Sequence, residues 1–288
     1  MVDNIIQSLI NGVMLGAIYA LIALGLSIVF GVMNIINFAH GDFVMLAMYA
    51  TFWISTTVAW DPIATPLITV PLLFLAGILA YVLLIDRTLK ERAVTQIAVT
   101  VGLMVFLRAI TQMLFEARPR AISYSIIQGN IALGPYTITL TRLISALIAL
   151  IAILAVYLFL TRTWAGRAIR AASDDLDAAS LVGANPRRIY ALALGLGSAL
   201  TAVAGALLMT FQQVDPTMGM RFGLLSWAVL ALAGLGSIPG LLVSGVIIGG
   251  VESLTTAFWD PRARSLTIYL IFILVLWLRP KGLFGRKS

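Results

Sequence analysis

The sequence predicts an all-α fold, a polytopic bundle of transmembrane helices, and three observations support this prediction. Hydrophobic residues make up 61% of the 288 residues and charged residues only 11%, whereas about a quarter of the residues in a soluble domain are charged. Four long tracts carry no charged residue, namely 4–41, 62–85, 189–214 and 222–251. Each can supply the roughly 20 apolar residues that a membrane-spanning helix needs. Twelve of the 19 Lys and Arg residues fall in 86–92, 162–188 and 279–288, as is typical of cytoplasmic loops.

Apolar runs bounded by charged residues, Pro and Gly predict eight membrane-spanning segments. They lie near 7–30, 39–58, 63–85, 93–115, 142–161, 189–212, 223–257 and 263–279. The segment 223–257 is too long for one crossing at about 1.5 Å per residue, and glycines and a proline interrupt it at 234–240. Counting it once or twice gives eight to nine spans. Nine is preferred, because it places the N-terminus outside and all three basic stretches in the cytoplasm.

The chemical motifs exclude most classes of enzyme. With no Cys and one His, the chain lacks the residues for a disulfide framework, a thiolate nucleophile or a structural zinc site. It has no G-x-S-x-G or H-E-x-x-H motif, and Lys90, Lys281 and Lys287 all lie outside a phosphate-binding loop. We therefore expect no catalysis, no metal site and no cofactor bound by this chain. If ATP drives its function, another chain hydrolyses the ATP.

The most polar interruption of the apolar spans lies at 31–41. The candidates for lining a solute path, within this interruption and directly after it, are Asn34, Asn37, His40, Gly41 and Asp42. Such groups are costly in lipid unless they pair internally or line a wet cavity, so they should face the protein interior. A second interruption, 234–240, lies in the other half, and paired interruptions are typical of a transporter's substrate path. Two interpretations stay open: Asn37 caps the following helix at a corner, or the segment contacts solute.

Two ionisable residues fall within predicted spans, Arg108 and Glu252. An ion inside a span is a functional candidate. Each also lies near a predicted boundary, where a side chain such as that of Arg108 can extend into the headgroup region. An interfacial structural role is the preferred interpretation of both.

Small residues recur at helix-contact spacing, in the pairs Gly12 and Gly16, Gly236 and Gly240, and Gly245 and Gly249. Helices associate in the bilayer through close backbone approach, which this spacing permits. The pairs predict either contacts within the chain, which we prefer, or a contact with another subunit.

The largest hydrophilic segment, 162–188, contains a surface-lying helix around Trp164 followed by a short capped helix. Asp174 is the expected N-cap, with Asp177 three residues later, Asp175 favouring the positive helix end and Gly183 ending the helix. A helix of two turns is unstable alone in water. It therefore predicts a cytoplasmic protein partner on which the helix packs, with a solvated loop as the alternative.

The sequence resembles a known family over nearly its whole length. Four runs carry the resemblance: GVMLGAIYALIALGLSIVFGVMNIINFAHGDFVMLAMY from Gly12, RAASDDLDAASLVGANPRRI from Arg170, GLGSIPGLLVSGVIIGGVES from Gly234 and LRPKGLFG from Leu278. They resemble the H-type permease subunit of high-affinity branched-chain amino-acid ABC importers. The second run is similar to the family's cytoplasmic coupling loop, with matches at Asp177, Ala178, Ala179 and Gly183.

The resemblance implies a single permease domain, 1–288, in the bacterial inner membrane. It implies a second, M-type permease, two cytoplasmic ATPase subunits that use ATP, and a periplasmic binding protein that delivers the solute. The loop 162–188, with Asp174, Asp175, Asp177, Ala178, Ala179 and Gly183, would couple the permease to the ATPases. Relatives of this architecture import urea, short amides or other small acids, which leaves the substrate open. A secondary transporter is the alternative of a different class, and no Asp or Glu lies clearly deep in a predicted span to support it.

Overall fold

The structure is a computed structural model, and it describes residues 2–122, 125–181, 183–279 and 282–285. Eleven α-helices and one β-hairpin form the described part of the chain. Their bounds are α1 Val2–Met33, α2 His40–Val58, α3 Pro66–Ala80 with a π-helical extension Tyr81–Ile85, α4 Ala93–Phe115, β1 Asn130–Leu133, β2 Tyr136–Thr139, α5 Leu140–Arg162, α6 Trp164–Asp174, α7 Leu176–Leu181, α8 Pro186–Met209, α9 Met218–Ala233, α10 Ile238–Phe258 and α11 Arg264–Leu278, which a 3₁₀ turn at Pro261–Ala263 precedes.

Seven helical segments of the described chain are long and apolar enough to cross a membrane. They are α1, α3 with its extension, α4, α5, α8, α10, and α11 with the preceding turn. The chain is therefore a multi-pass helical membrane protein, as predicted. Nine spans would also need α2 and α9, and eight would need one of the two. The helix α2 contains His40 and Asp42, and α9 has only 16 residues.

The helix bundle has two ends, and contacts between the segments that connect the helices identify each end. At the hairpin end, the start of α1 meets the β-hairpin, and Asp61 after α2 accepts a hydrogen bond from Ser125 Oγ at 3.0 Å. At the basic end, Arg187 in the first turn of α8 lies 3.4 Å from Asp86, which follows the extension of α3. All the described residues of the three basic stretches lie at or near this second end, because successive long helices run in opposite directions.

The β-hairpin is a departure from the all-α prediction. Strands β1 and β2 pair antiparallel, with Leu133 opposite Tyr136, and Gly134 in the turn has φ +61°. Glycine at the first position of a two-residue loop suits a hairpin turn. The hairpin is fixed to α1, because Gln7 Nε2 donates to Thr137 O at 2.8 Å and Gln7 Oε1 accepts from Thr137 N at 2.9 Å.

The predicted glycine pairs of α1 and α10 meet each other. A Cβ on Gly16 would lie 2.5 Å from the carbonyl oxygen of Gly245, and a Cβ on Gly249 would lie 2.3 Å from that of Gly12. These four glycines therefore make a contact within the chain, which confirms the preferred interpretation for these two pairs. In the third pair, no described atom lies within 4 Å of a Cβ on Gly236. The two helices can approach this closely only because no side chain separates their backbones.

The long apolar segment 223–257 is two helices, α9 and α10. Gly234 and Gly236 both have φ +81°, a conformation that glycine adopts at little cost. Ser237 then begins α10, since its Oγ accepts from Gly240 N at 3.0 Å. The sequence prediction of an interruption at this place is confirmed.

Candidate functional site

The connection between α1 and α2 re-enters the bundle. The buried ring of His40, the first residue of α2, lies with Nε2 3.0 Å from the carbonyl oxygen of Ile22. A carbonyl only accepts, so Nε2 is the donor. Ile22 lies about three turns, or about 16 Å, before the end of α1 at Met33. The helix α2 therefore begins inside the bundle rather than at its basic end.

The two asparagines of this connection lie in different surroundings. Asn37 is 2% exposed, and its Oδ1 accepts from Ala39 N at 3.0 Å. It closes a turn immediately before α2. It does not cap the helix in the predicted way, because Ala39 is the N-cap residue and no side chain makes the capping hydrogen bond. Asn34 is exposed, has φ +51° and lies near the basic end. The roles of both residues in a solute path remain predictions.

An ion pair lies at the beginning of α2. Arg108 of α4 donates through Nε to Asp42 Oδ1 at 2.7 Å and through Nη2 to Asp42 Oδ2 at 3.2 Å. The Asp42 side chain is fully buried and that of Arg108 is 21% exposed. The expectation that Arg108 reaches the headgroup region was therefore wrong, because its guanidinium turns inward to the carboxylate.

Two glycines leave the space that the Asp42 carboxylate occupies. A Cβ on Gly219 of α9 would lie 2.2 Å from Asp42 Oδ1, and a Cβ on Gly41 would lie 2.1 Å from the Gly219 carbonyl oxygen. The start of α2 and the start of α9 thus touch through backbone atoms. His40, Gly41 and Asp42 therefore form one buried group that contacts α1, α4 and α9.

A second buried ionic cluster surrounds Glu252 of α10. Glu252 is 3% exposed, it accepts from Tyr19 Oη at 2.7 Å, and it pairs directly with Arg221 of α9. Arg264 Nη1 lies 3.8 Å from the same carboxylate. The interfacial interpretation of Glu252 was wrong, since its carboxylate is enclosed by its own chain. Sequence reasoning missed Arg221, whose one signal was a charge next to a long apolar run.

The two helices of the 162–188 loop, α6 and α7, lie at the basic end. Helix α6 buries Gly166, Ile169 and Ala172 and exposes Trp164 and Arg170, as expected of a surface-lying helix. A Cβ on Gly166 would lie 2.1 Å from the carbonyl oxygen of Phe159. This glycine allows α6 to fold back tightly onto the end of α5.

The short helix α7 has its N-cap one residue later than predicted. Asp175 Oδ1 accepts from Ala178 N at 2.9 Å, whereas Asp174 is the last residue of α6. Asp174 cannot cap α7, because its backbone is part of the preceding helix. Residue 182, which directly precedes the predicted helix-ending Gly183, lies outside the described residues. Asp177 lies exposed in the first turn.

The end of α7 depends on Gly183, which has φ +91°. Ala184 N donates to Ala179 O at 3.1 Å, so the chain closes the helix with the left-handed residue that the sequence predicted. Ala178 is exposed, but Ala179 is 3% exposed and packs within the chain. Of the two alanines, only Ala178 has an exposed side chain.

Both interruptions and the loop meet at one cavity. A space of about 420 Å³ at the basic end is lined by Asn34 of the first interruption, Asp174 of α6 and Leu235 of the second interruption. The path candidates are thus divided, with Asn34 beside the loop and His40, Gly41 and Asp42 deeper. In the described residues, no group of three or more His, Cys, Asp or Glu side chains is arranged to hold a metal ion.

Comparison with known proteins gives the family. The profile described as "Branched-chain amino acid transport system / permease component" matches residues 8–276. The high-affinity branched-chain amino acid transport system permease protein LivH is 33% identical in both Salmonella typhimurium and Escherichia coli K12, over 98% of this chain and 96% of each relative. The corresponding protein BraD of Pseudomonas aeruginosa is 30% identical over the same shares. No solved structure matches the chain. The chain therefore belongs to the family of permease components of branched-chain amino acid transport systems.

Proposed function

We propose that this protein is the H-type permease subunit of an ATP-driven ABC importer, and that it forms the translocation path with a second, M-type permease. The family match over residues 8–276 carries this conclusion. The chain is a permease component of branched-chain amino acid transport and a multi-pass membrane protein of the inner membrane. Its relatives are transport permeases, which are not enzymes in the usual sense.

The proposed topology has nine spans, with the hairpin end outside and the basic end in the cytoplasm. Lys and Arg are enriched in cytoplasmic loops of membrane proteins. Arg87 and Arg92 flank helices at the basic end and Arg167 lies within α6, which favours a cytoplasmic position for that end. Helix α9 supports the ninth span, because it separates the connection before Met218, at the hairpin end, from the glycine turn before α10.

The proposed partner of the basic end is a pair of ATPase subunits, which would bind and hydrolyse the ATP. Helix α7 has a capped start at Asp175 and a left-handed end at Gly183, but only six residues. A helix that short gains most of its stability from what it contacts. A groove on an ATPase subunit would provide that contact through the exposed face that includes Ala178.

The cavity at the basic end suggests how an ATPase movement reaches the solute path. Asp174 of α6 and Asn34 of the α1–α2 connection line the same space. A shift of α6 and α7 would therefore press on the connection that positions His40 and Asp42. Movement of α2 relative to α4 and α9 would then open and close the path alternately to the two sides.

The test is reconstitution of the complete importer, consisting of both permeases, both ATPases and the binding protein, in proteoliposomes. We expect leucine uptake only with ATP and with the loaded binding protein, and loss of uptake when the ATPases are omitted. Uptake of leucine without ATPases, driven by an ion gradient, would contradict the proposal. Competition by urea or short amides but not by isoleucine or valine would show that the transported solute is a urea-like compound or a short amide and not a branched-chain amino acid.

A further inference from the structure

A cavity of about 540 Å³ opens at the hairpin end, between α1, α5, the connection before α9, α10 and α11. Its size lies in the range of about 300–1,000 Å³ that small-molecule sites occupy. The path candidates His40, Gly41 and Asp42 do not line it. It is thus separate from the buried group at the start of α2.

Three arginines line this cavity, Arg142 of α5, Arg221 of α9 and Arg264 of α11. The carboxylate of Glu252 contacts Arg221 and lies 3.8 Å from Arg264, and its other oxygen accepts from Tyr19. Arg142 makes no ion pair with any residue that the structure describes, and its guanidinium lies 5.4 Å from the ring centroid of Phe211. The cavity therefore carries more positive charge than its own carboxylate balances.

Two polar atoms of the lining residues are buried without a hydrogen-bond partner among the described residues. They are Nε of Arg221, which is a donor, and Oε1 of Gln212, which is an acceptor. A buried polar atom without a partner destabilises a protein. Both side chains line the cavity, so a rotation that turns either atom toward a ligand would give that atom a hydrogen-bond partner.

The remaining wall is apolar and adaptable. Met14, Met209 and Met218 all line the cavity, together with Ile18. Methionine side chains adjust to irregular aliphatic shapes because they are unbranched and polarisable. The cavity thus combines a cationic side with a wall that suits an aliphatic group of variable branching.

We propose that this cavity is a transient binding site for the transported amino acid on its way from the binding protein into the path. The solute carboxylate binds Arg142 and the side of the Arg221 guanidinium that Glu252 does not contact, because guanidinium groups bind carboxylates through charge-assisted hydrogen bonds. The solute ammonium donates to Gln212 Oε1, and the aliphatic side chain lies against the methionines. This inference rests on the proposed function, since it takes a branched-chain amino acid as the solute.

The test measures binding of radiolabelled leucine to the purified complex of both permeases and both ATPases, without the binding protein. We expect saturable binding that isoleucine and valine compete for and that leucinol, which lacks the carboxylate, does not. Arg142→Gln should weaken binding about tenfold or more, the loss expected for a charge-assisted bond. Arg142→Lys should retain part of it. The control is Arg118→Gln, since Arg118 is an exposed arginine near the same end that pairs with Glu116 and does not line the cavity.

The outcomes separate this inference from the proposed function. If the complete importer takes up leucine with ATP but the complex binds no leucine, the binding site is excluded and the function stands. Competition by inorganic phosphate as strong as that by valine would indicate a general anion site and overturn the proposal. A weaker affinity of Arg142→Gln for the binding protein, with leucine binding unchanged, would assign the cavity to protein docking and also overturn it. Absence of both uptake and binding in an intact complex would remove the function and this inference together.

Discussion

Arg108 of α4 binds both carboxylate oxygens of Asp42, with an Nε to Oδ1 distance of 2.7 Å. The ion pair thus joins α4, one of the least buried long helices, to the buried start of α2. A helix that begins inside the bundle has four backbone N–H groups without helical partners. A carboxylate in its first turn is favourable there. The arginine in turn neutralises a carboxylate that has no exposed surface.

Removing one member of this pair should destabilise the protein. Arg108→Gln leaves the Asp42 carboxylate buried and unpaired, for which we expect a loss of about 3–5 kcal/mol. The measurement is the thermal unfolding of the purified permease complex in detergent. The double variant Asp42→Asn with Arg108→Gln should regain much of this loss, since no buried charge remains.

The matched control is the exposed pair of Arg118 and Glu116, with side chains 80% and 64% exposed. Arg118→Gln should change stability by no more than about 1 kcal/mol. A double variant at Asp42 and Arg108 that is as unstable as the sum of the two single variants would disprove a direct energetic link between the two residues.

The contact between α1 and α10 should not tolerate a methyl group. Gly16→Ala places a Cβ 2.5 Å from the Gly245 carbonyl oxygen, and backbone atoms cannot move away as a flexible side chain does. We expect a loss of about 1–3 kcal/mol, the usual effect of overpacking. Gly102→Ala makes the same substitution in α4 where no atom lies within 4 Å of the new Cβ. It should be neutral or stabilising by up to about 1 kcal/mol, and equal unfolding temperatures for the two variants would contradict this account.

Substitutions of Gly183 should separate helix position from side-chain contact. No atom lies within 4 Å of a Cβ at this residue, so only the φ of +91° opposes a substitution. Gly183→Val should cost about 1 kcal/mol or more, because a β-branched residue resists this conformation. We expect lost uptake and an ATPase activity that no longer responds to the loaded binding protein.

Gly183→Asn is the matched variant, since asparagine tolerates left-handed backbone. It should retain most of the uptake with an intact response to the binding protein. Normal uptake by Gly183→Val in an assembled complex would show that α7 does not transmit the movement.

The topology can be tested with single cysteines, because the chain has none of its own. Leu235, in the turn between α9 and α10, is 56% exposed, and Leu133 of the hairpin is 55% exposed. With nine spans, Leu235→Cys should react with an impermeant maleimide only after the cytoplasmic face is opened. Leu133→Cys should react in intact cells. Labelling of Leu235→Cys from outside would contradict the ninth span.

The sequence by itself determined the membrane class, the approximate bounds of the long helices, the break at 234–240 and the left-handed residue Gly183. These features depend on local composition, because hydrophobic length, Pro and Gly act on the residues immediately around them. The sequence also indicated that Gly16 and Gly245 each lie at a helix contact within the chain. It did not indicate that they contact each other, because spacing shows which helix face carries small residues and not which helix packs against it.

Only the tertiary structure decided how the ions pair and which elements meet. Asp42 and Arg108 are 66 residues apart in the chain, and Tyr19 and Glu252 are 233 apart. A single sequence contains no distance between such residues, so Arg108 and Glu252 were assigned to the membrane interface when their charges in fact turn inward. The energy of a buried ion pair depends on geometry and on the loss of surrounding water, and the folded bundle alone sets both.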